Sequence, residues 1–285
     1  MKFGIIFANV GPYVQPDGAI TMGTLAERHG FDSAWTVEHV VVPAGYESEY
    51  PYSPTGRMPG PEESPIPDPL IWLTWVAAAT TTLRLATGIL ILPQRNPVVL
   101  AKELATLDVL SRGRVTLGVG VGWLREEFDA LGIPFEERAA RTDESIEALR
   151  VLWREGESSY SGTYTSFEQA KSYPKPVQEP IPIHVGGHTK AAARRAGRLG
   201  DGFFPGRSTV EDLAPLLEEM RTAARAAGRD PDAIEVSAGG AFDLESVERF
   251  REIGVDRVLI PPLSFDPVAL DEALGTFAEN VIAKV

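Results

Sequence analysis

Eight apolar segments, each followed by a helical pattern, predict an α/β chain closed into a (β/α)8 barrel of the TIM type. Two further observations point the same way. The length, 285 residues, exceeds a typical domain but suits one such barrel, so residues 1–285 are expected to form a single barrel domain. Residues 114–128, Arg-Val-Thr-Leu-Gly-Val-Gly-Val-Gly-Trp-Leu-Arg-Glu-Glu-Phe, run from a β-branched strand through Gly118, Gly120 and Gly122 into a helix start. A strand, a glycine-rich turn and a helix together aim backbone N–H groups at a phosphate. The same glycines serve equally well as a packing device.

The strand candidates are residues 2–8, 33–38, 84–91, 114–119, 181–185, 201–204, 234–239 and 256–260. The helices fall near 18–29, 68–80, 97–110, 138–155, 189–199, 209–228, 243–253 and 266–283. Residues 2–8 read as a first strand and not as a signal peptide, because the apolar run is short and no small-residue cleavage site follows. Asp68-Pro69 and Asn96-Pro97 each offer a capping side chain followed by proline at the first helical position. Ser208 or Thr209 can cap the helix through Leu213, Leu216 and Leu217, and Gly228 and Gly254 stand where helices should stop. Residues 156–180 interrupt the rhythm with a hairpin turn at Ser161-Gly162-Thr163-Tyr164 and an extended stretch marked by Pro174, Pro176 and Pro180. Residues 40–67 are a longer interruption, rich in proline, glycine and tyrosine. They leave the C-terminal end of the second strand, the face on which barrel active sites lie, and loops of that length are usually functional.

Composition excludes several classes. With 27 basic and 40 acidic residues the net charge is −13, a poor match to a nucleic-acid backbone. The chain has no cysteine, so disulfides, thiolate nucleophiles and Cys-ligated metals are ruled out. No apolar run approaches the ~18 residues that span a bilayer. The expectation is a cytoplasmic protein without a membrane or nucleic-acid partner, acting on a small molecule. There is no Gly-x-Ser-x-Gly elbow, no His-Glu-x-x-His and no Cys/His cluster, so no metal is expected and a bound organic cofactor would carry the reaction.

The candidate chemistry lies at strand ends. Glu38-His39 closes the second strand, and His39 there can exchange a proton near neutral pH or simply bond a loop carbonyl. His29, at a helix end, reads as a C-terminal helix contact, and His184, within a strand, as a packed residue. Val185-Gly186-Gly187-His188-Thr189-Lys190 repeats the strand, glycine, helix theme, with His188 or Thr189 as the cap and the helix dipole favouring an anion. Gly88 inside the third strand marks a bulge or a close approach. Arg95 leaves the same strand and reaches either a ligand or an acidic loop. Arg141 with Glu144, and Glu147 with Arg150, read as solvated i,i+3 pairs.

With these segments placed, the chain resembles the luciferase-like oxidoreductases, the flavin and deazaflavin barrel family, over nearly its whole length. The resemblance rests on Glu38-His39, Gly88-Ile89 with Arg95-Asn96-Pro97, and Ser111-Arg112-Gly113-Arg114 leading to Gly118–Gly122 and Trp123. It continues through Glu127-Phe128, Leu131-Gly132, Pro174-Lys175-Pro176, Gly186-Gly187 and Asp201-Gly202. The small members that use coenzyme F420, a deazaflavin hydride carrier, are the most similar. The resemblance implies hydride transfer between F420 and a small organic substrate, or alternatively an FMN-dependent monooxygenase that uses oxygen and a partner reductase. It implies a cofactor site of Glu38, Gly88, Ile89, Arg95, Gly120, Val121, Gly122, Gly187, His188 and Thr189, with a cis peptide at Gly88–Ile89. His39 would be the catalytic proton carrier, and Trp123, Tyr46, Tyr50 and Tyr52 would wall the substrate pocket. Many members are homodimers, so a homodimer is expected. Two departures matter. Val121 stands where flavin-using luciferases place an arginine on the phosphate, which favours the deazaflavin. Trp123 stands where sugar-phosphate dehydrogenase members carry an acidic residue, which weighs against a sugar-phosphate substrate.

Overall fold

In the computed structural model, which describes every residue except Glu155 and Ser208, eight parallel strand positions close into a barrel. In chain order the strands are β1 (Lys2–Ile6), β2 (Ser33–Thr36), β3 (Arg84–Thr87), β4 (Leu90–Ile91), β5 (Val115–Gly120), β6 (Ser158–Ser161), β7 (Ser166–Ala170), β8 (Ile183–Gly186), β9 (Gly202–Phe204), β10 (Glu235–Gly239) and β11 (Arg257–Ile260). Around the barrel they run β1, β2, β3, β5, β8, β9, β10, β11 and back to β1, and the β3–β5 pairing completes the ring. β3 and β4 are two halves of one barrel strand, and both pair with β5. The peptide between Gly88 and Ile89, in the gap between the halves, is cis, as the resemblance implies.

The nine helices described are α1 (Pro16–Arg28), α2 (Pro69–Ala79), α3 (Pro97–Leu110), α4 (Arg125–Ala130), α5 (Arg138–Trp153), α6 (Lys190–Leu199), α7 (Val210–Ala226), α8 (Leu244–Glu252) and α9 (Pro267–Asn280). Their starts follow the expected chemistry. Asp68 accepts from the Leu70 and Ile71 N–H groups, and Asn96 from those of Val98 and Val99, ahead of prolines that need no partner. Thr209 caps α7 through the Asp212 N–H; the alternative cap, Ser208, lies outside the described residues, as does the expected end of α5 at residue 155. The interruption at 156–180 contains the expected hairpin, β6 with β7. Its turn is not free-standing: the Glu144 carboxylate accepts from the N–H groups of Thr163, Tyr164 and Thr165. The i,i+3 pairs expected along α5 therefore do not form. Arg141 pairs with Glu137, Arg150 with Asp201, and Glu147 takes the Tyr160 hydroxyl. Each side chain finds a partner in a neighbouring element or turn, which periodicity on one helix does not reveal. His29 caps the end of α1, as expected, and its Nε2 lies 2.5 Å from Asp271 on α9.

Strand alternation divides the core. Phe3, Ile5, Ala34, Leu85, Leu117, Val119, Ile183, Val236 and Val258 face outward into the apolar layer between sheet and helices. The inward positions fill the lumen: Trp35, wholly buried, packs with Ile6, Ala86, Leu259 and Phe204. Gly4 and Gly202 are inward glycines whose missing side chains make room for Trp35 and His184. Below this layer, at the N-terminal ends of the strands, is a polar floor. Arg257 donates twice to Asp32 at 2.9 Å and also bonds Glu235, which Lys2 pairs with in turn. Arg84 donates to Thr116, the Val115 carbonyl and Gln178. His184 stands beside this network, its ring 5.8 Å from Trp35, and burial drives its pKa down to about 4.

Candidate active site

The opposite, C-terminal mouth is where the expected site residues gather. Two adjacent glutamates on the short helix α4 organise it. Glu127, almost wholly buried, accepts from the Val40 N–H at 2.6 Å and the Val41 N–H at 3.3 Å, and its other oxygen lies 3.2 Å from His39 Nδ1. Glu126 accepts from the Glu47 and Ser48 N–H groups and from the Ser48 hydroxyl. Residues 40–48, the first part of the long loop, are thus tied to the helix that follows the β5 glycines. Burial alone would raise the Glu127 carboxyl, but the bonds from His39 and the Val40 N–H outweigh it and hold the carboxyl below the usual range. An ionised Glu127 facing Nδ1 makes that nitrogen the N–H of His39 and leaves Nε2 to exchange a proton.

The loop lays its aromatic residues across the mouth in a continuous series. The His39 ring meets Trp123 edge-on at 5.7 Å, Trp123 meets Tyr46 at 5.5 Å and Tyr50 at 5.2 Å, Tyr50 meets Tyr52 at 5.5 Å, and Tyr52 meets His188 at 5.0 Å. Edge-to-face contacts at these separations are the favoured geometry of aromatic pairs. Arg57 lies over the Tyr46 ring, and the Tyr46 hydroxyl accepts from the Met58 N–H, so the returning limb of the loop is fixed as well. Tyr52 closes against Gly206, just beyond β9, where a side chain would collide with it.

The glycines divide into two kinds. The close approach expected at Gly118 and Gly120 is made by the chain itself: the Cβ side of Gly118 is filled by the Thr87 carbonyl, and those of Gly120 and Gly186 by the Ile89 side chain. These positions seat the break between β3 and β4 in the lumen wall, so Gly120 has only its backbone left to offer a ligand. Gly122 and Gly187 differ, with φ of +84° and +131° at the turns that leave β5 and β8. Val121 and Gly122 are partly exposed there, as are Gly187 and His188. Thr189 caps α6 through the Ala192 N–H, and Lys190 extends into solvent. Among the described residues His188 Nδ1 is buried with no partner, and burial followed by the nearby Arg207 lowers the ring's pKa. An orphaned imidazole nitrogen beside a helix N-terminus and two turns with positive φ fits an anionic or phosphate-bearing group.

Glu38 and Arg95 are brought together and are bonded to each other. The buried Glu38 carboxylate accepts from the Ile91 N–H at 2.6 Å and is bonded by the Arg95 guanidinium, which also reaches Asp68 at 2.9 Å. Burial pushes the Glu38 carboxyl upward, with Arg95 opposing it. The trio locks the end of β2, the segment after β4 and the start of α2 to one another. Of the two destinations open to Arg95 in the sequence, the acidic loop is the one it takes.

Residues 1–244 match the model of the luciferase-like monooxygenase family. A protein of Mycobacterium tuberculosis is 32% identical over 292 residues, covering 100% of this chain and 99% of its own. An F420-dependent glucose-6-phosphate dehydrogenase of Segniliparus rotundus is 36% identical over 85% of this chain, which spans 63% of that relative. Among solved structures, a monooxygenase from Streptomyces bottropensis superposes with a TM-score of 0.79 at 27% identity, over 99% of both chains. The coenzyme F420-dependent tetrahydromethanopterin reductase of Methanopyrus kandleri shares the fold, with a TM-score of 0.78 at 20% identity over 99% of this chain and 98% of that one.

Proposed function

The chain belongs to the luciferase-like monooxygenase family, and on that premise we propose that it is an oxidoreductase that uses coenzyme F420 to exchange a hydride with a small organic substrate. The observation that carries this reading is the arrangement of the mouth. A buried carboxylate orients one histidine under an aromatic cover, next to turns fit to hold a phosphate-bearing cofactor. The F420-dependent relatives support the choice of cofactor.

Val121, Gly122, Gly187, His188 and Thr189 would hold the cofactor's phosphate, with Gly88 and Ile89 beside its ring. When bound, the deazaflavin supplies two-electron hydride chemistry. The protein's own work is positional. Trp123, Tyr46, Tyr50 and Tyr52 exclude water and wall the substrate, and His39 holds or accepts one proton at Nε2 while Glu127 fixes the ring through Nδ1. Glu127 is a positioning residue in this scheme. We also take residues 1–285 to act as one barrel domain, in the cytoplasm. The exposed Ile71 and Trp75 on α2, with Val99 and Leu110 on α3, support a homodimer, which sedimentation velocity would test.

Similarity to the Streptomyces monooxygenase favours a second reading, an FMN-dependent oxygenase fed by a reductase. Oxygen uptake separates the two. Substrate turnover under anaerobic conditions with reduced F420 supports hydride transfer, whereas product formation that requires stoichiometric oxygen and reduced FMN supports the oxygenase.

A further inference from the structure

The mouth of the barrel is chemically lopsided. Beyond the floor residues Lys2, Glu235 and Arg257 that begin β1, β10 and β11, the rest of these strands and their exits, residues 3–16, 236–242 and 258–265, contain no Asp, Glu, Lys, Arg or His. These strands are contiguous around the ring, in the order β10, β11, β1. Glu38, His39, Arg95, Glu127, His188, Lys190 and Arg207 all follow strands on the remaining arc. The uncharged arc also exposes large apolar side chains: Phe7 at 39%, Phe242 at 51%, Leu263 at 36% and Phe265 at 59%. Phe7 follows β1 with φ of 59°, a conformation that bulky residues rarely adopt and that tends to persist at functional sites. Scattered exposed apolar residues are ordinary on any protein. A run across three neighbouring strand ends of a barrel mouth is not scattered.

A second, independent observation lies inside the lumen. Strand alternation turns Gly4, Gly118, Gly120, Gly186, Gly202 and Gly239 inward. At the first five, and at Gly88 between the strand halves, a Cβ would meet neighbouring atoms within 3.0 Å. At Gly239 it would meet, among the described residues, only the Leu259 carbonyl, at 3.4 Å. Gly239 ends β10 and pairs with Leu259 of the apolar lumen cluster. The vacant position in the lumen wall therefore opens on the uncharged arc.

We propose that this arc, with Gly239 at its base, is the substrate subsite, and that the substrate is a small neutral compound with an apolar body. The proposal rests on the reading of the mouth as an active site. A phosphate dianion here would give up its hydration with no cation in these three segments to replace it. The substrate class would then separate this chain from the dehydrogenase relatives, which are named for a sugar phosphate.

The test uses the full-length protein, with and without F420, and two probes, cyclohexanone and glucose 6-phosphate, followed by saturation-transfer-difference NMR. The expected result is that cyclohexanone binds, that Gly239→Val and Leu263→Asp each weaken it by roughly tenfold or more, and that glucose 6-phosphate does not bind. Gly239→Ala, a milder filling of the same space, should fall between wild type and Gly239→Val, and far-UV circular dichroism confirms that each variant is folded. The proposal is overturned if cyclohexanone binds in neither state, if glucose 6-phosphate binds more tightly than cyclohexanone, or if folded Gly239→Val and Leu263→Asp both bind cyclohexanone like wild type. F420 fluorescence titration of the same samples reads the cofactor separately. Cyclohexanone binding with the expected variant pattern but without F420 binding would sustain the subsite and sink the cofactor assignment.

Discussion

The two ends of the barrel use the same residue types to opposite ends. At the floor, Lys2, Asp32, Glu235 and Arg257 satisfy one another, and His184 is enclosed in a lumen position where burial keeps it neutral down to about pH 4. At the mouth, Glu127 spends its oxygens on His39 and two backbone N–H groups, leaving one imidazole nitrogen of His39 uncommitted under a cover of tyrosines. His188, across the same opening, keeps a buried nitrogen with no partner among the described residues. A closed network stabilises the fold. A network left open on one side offers a proton or a hydrogen bond. Since His184 Nδ1 at the floor also lacks a partner among the described residues, the difference between these regions is one of access: the floor's charged groups are spent on one another in the interior, and the mouth's histidines stand beside an opening.

The floor should be the more costly to break. Arg257→Ala leaves Asp32 and Glu235 without their shared cation in a largely buried setting, and should destabilise the fold by about 3–5 kcal/mol in chemical denaturation. A loss below about 1 kcal/mol, the range of surface pairs, would show that the floor is not a closed network. The His184 effect is next in size. Its folded pKa lies below the unfolded value, so the unfolded chain binds the extra proton and stability falls as pH drops from about 6.5 to about 4, by about 3 kcal/mol in all. His184→Gln should flatten that part of the stability–pH curve; an unchanged slope would remove His184 from the account.

At the mouth the same experiments should read activity and spare the fold. His39→Ala should lower turnover by about 100-fold while cofactor affinity and melting temperature hold. Unchanged turnover across pH 5–8 would end its role as proton carrier. Glu127→Gln keeps an acceptor for the loop N–H groups but removes the charge facing Nδ1, and should cost about tenfold in turnover, about 1.4 kcal/mol, with a shifted pH profile. A fall in stability with no change in that profile would make Glu127 a loop clamp only.

How much of this was legible in the sequence depends on whether the signal is local. Caps such as Asp68, Asn96 and Thr209 act within three residues of themselves, and the eight strand–helix units carry their own periodicity, so the barrel and its helix starts could be read directly. The role of Glu127 could not. An acidic residue in the first turn of a helix reads as a favourable interaction with the helix dipole, and nothing in residues 114–128 says that it is buried against a histidine 88 residues away. Gly118 and Gly120 left a packing and a ligand reading open for the same reason. Period-two glycines announce that something comes close, and only the fold shows that Thr87 and Ile89 are what comes. Gly239 lacks any such announcement, because a vacancy is defined by what neighbouring strands fail to fill.

The central claim is that the open mouth binds a deazaflavin for hydride transfer, and parallel equilibrium titration of the purified protein with F420 and with FMN tests it most directly. The account predicts saturable binding of F420 with clear preference over FMN, lost when Thr189 and His188 are both replaced by alanine. Preferential binding of FMN would contradict it.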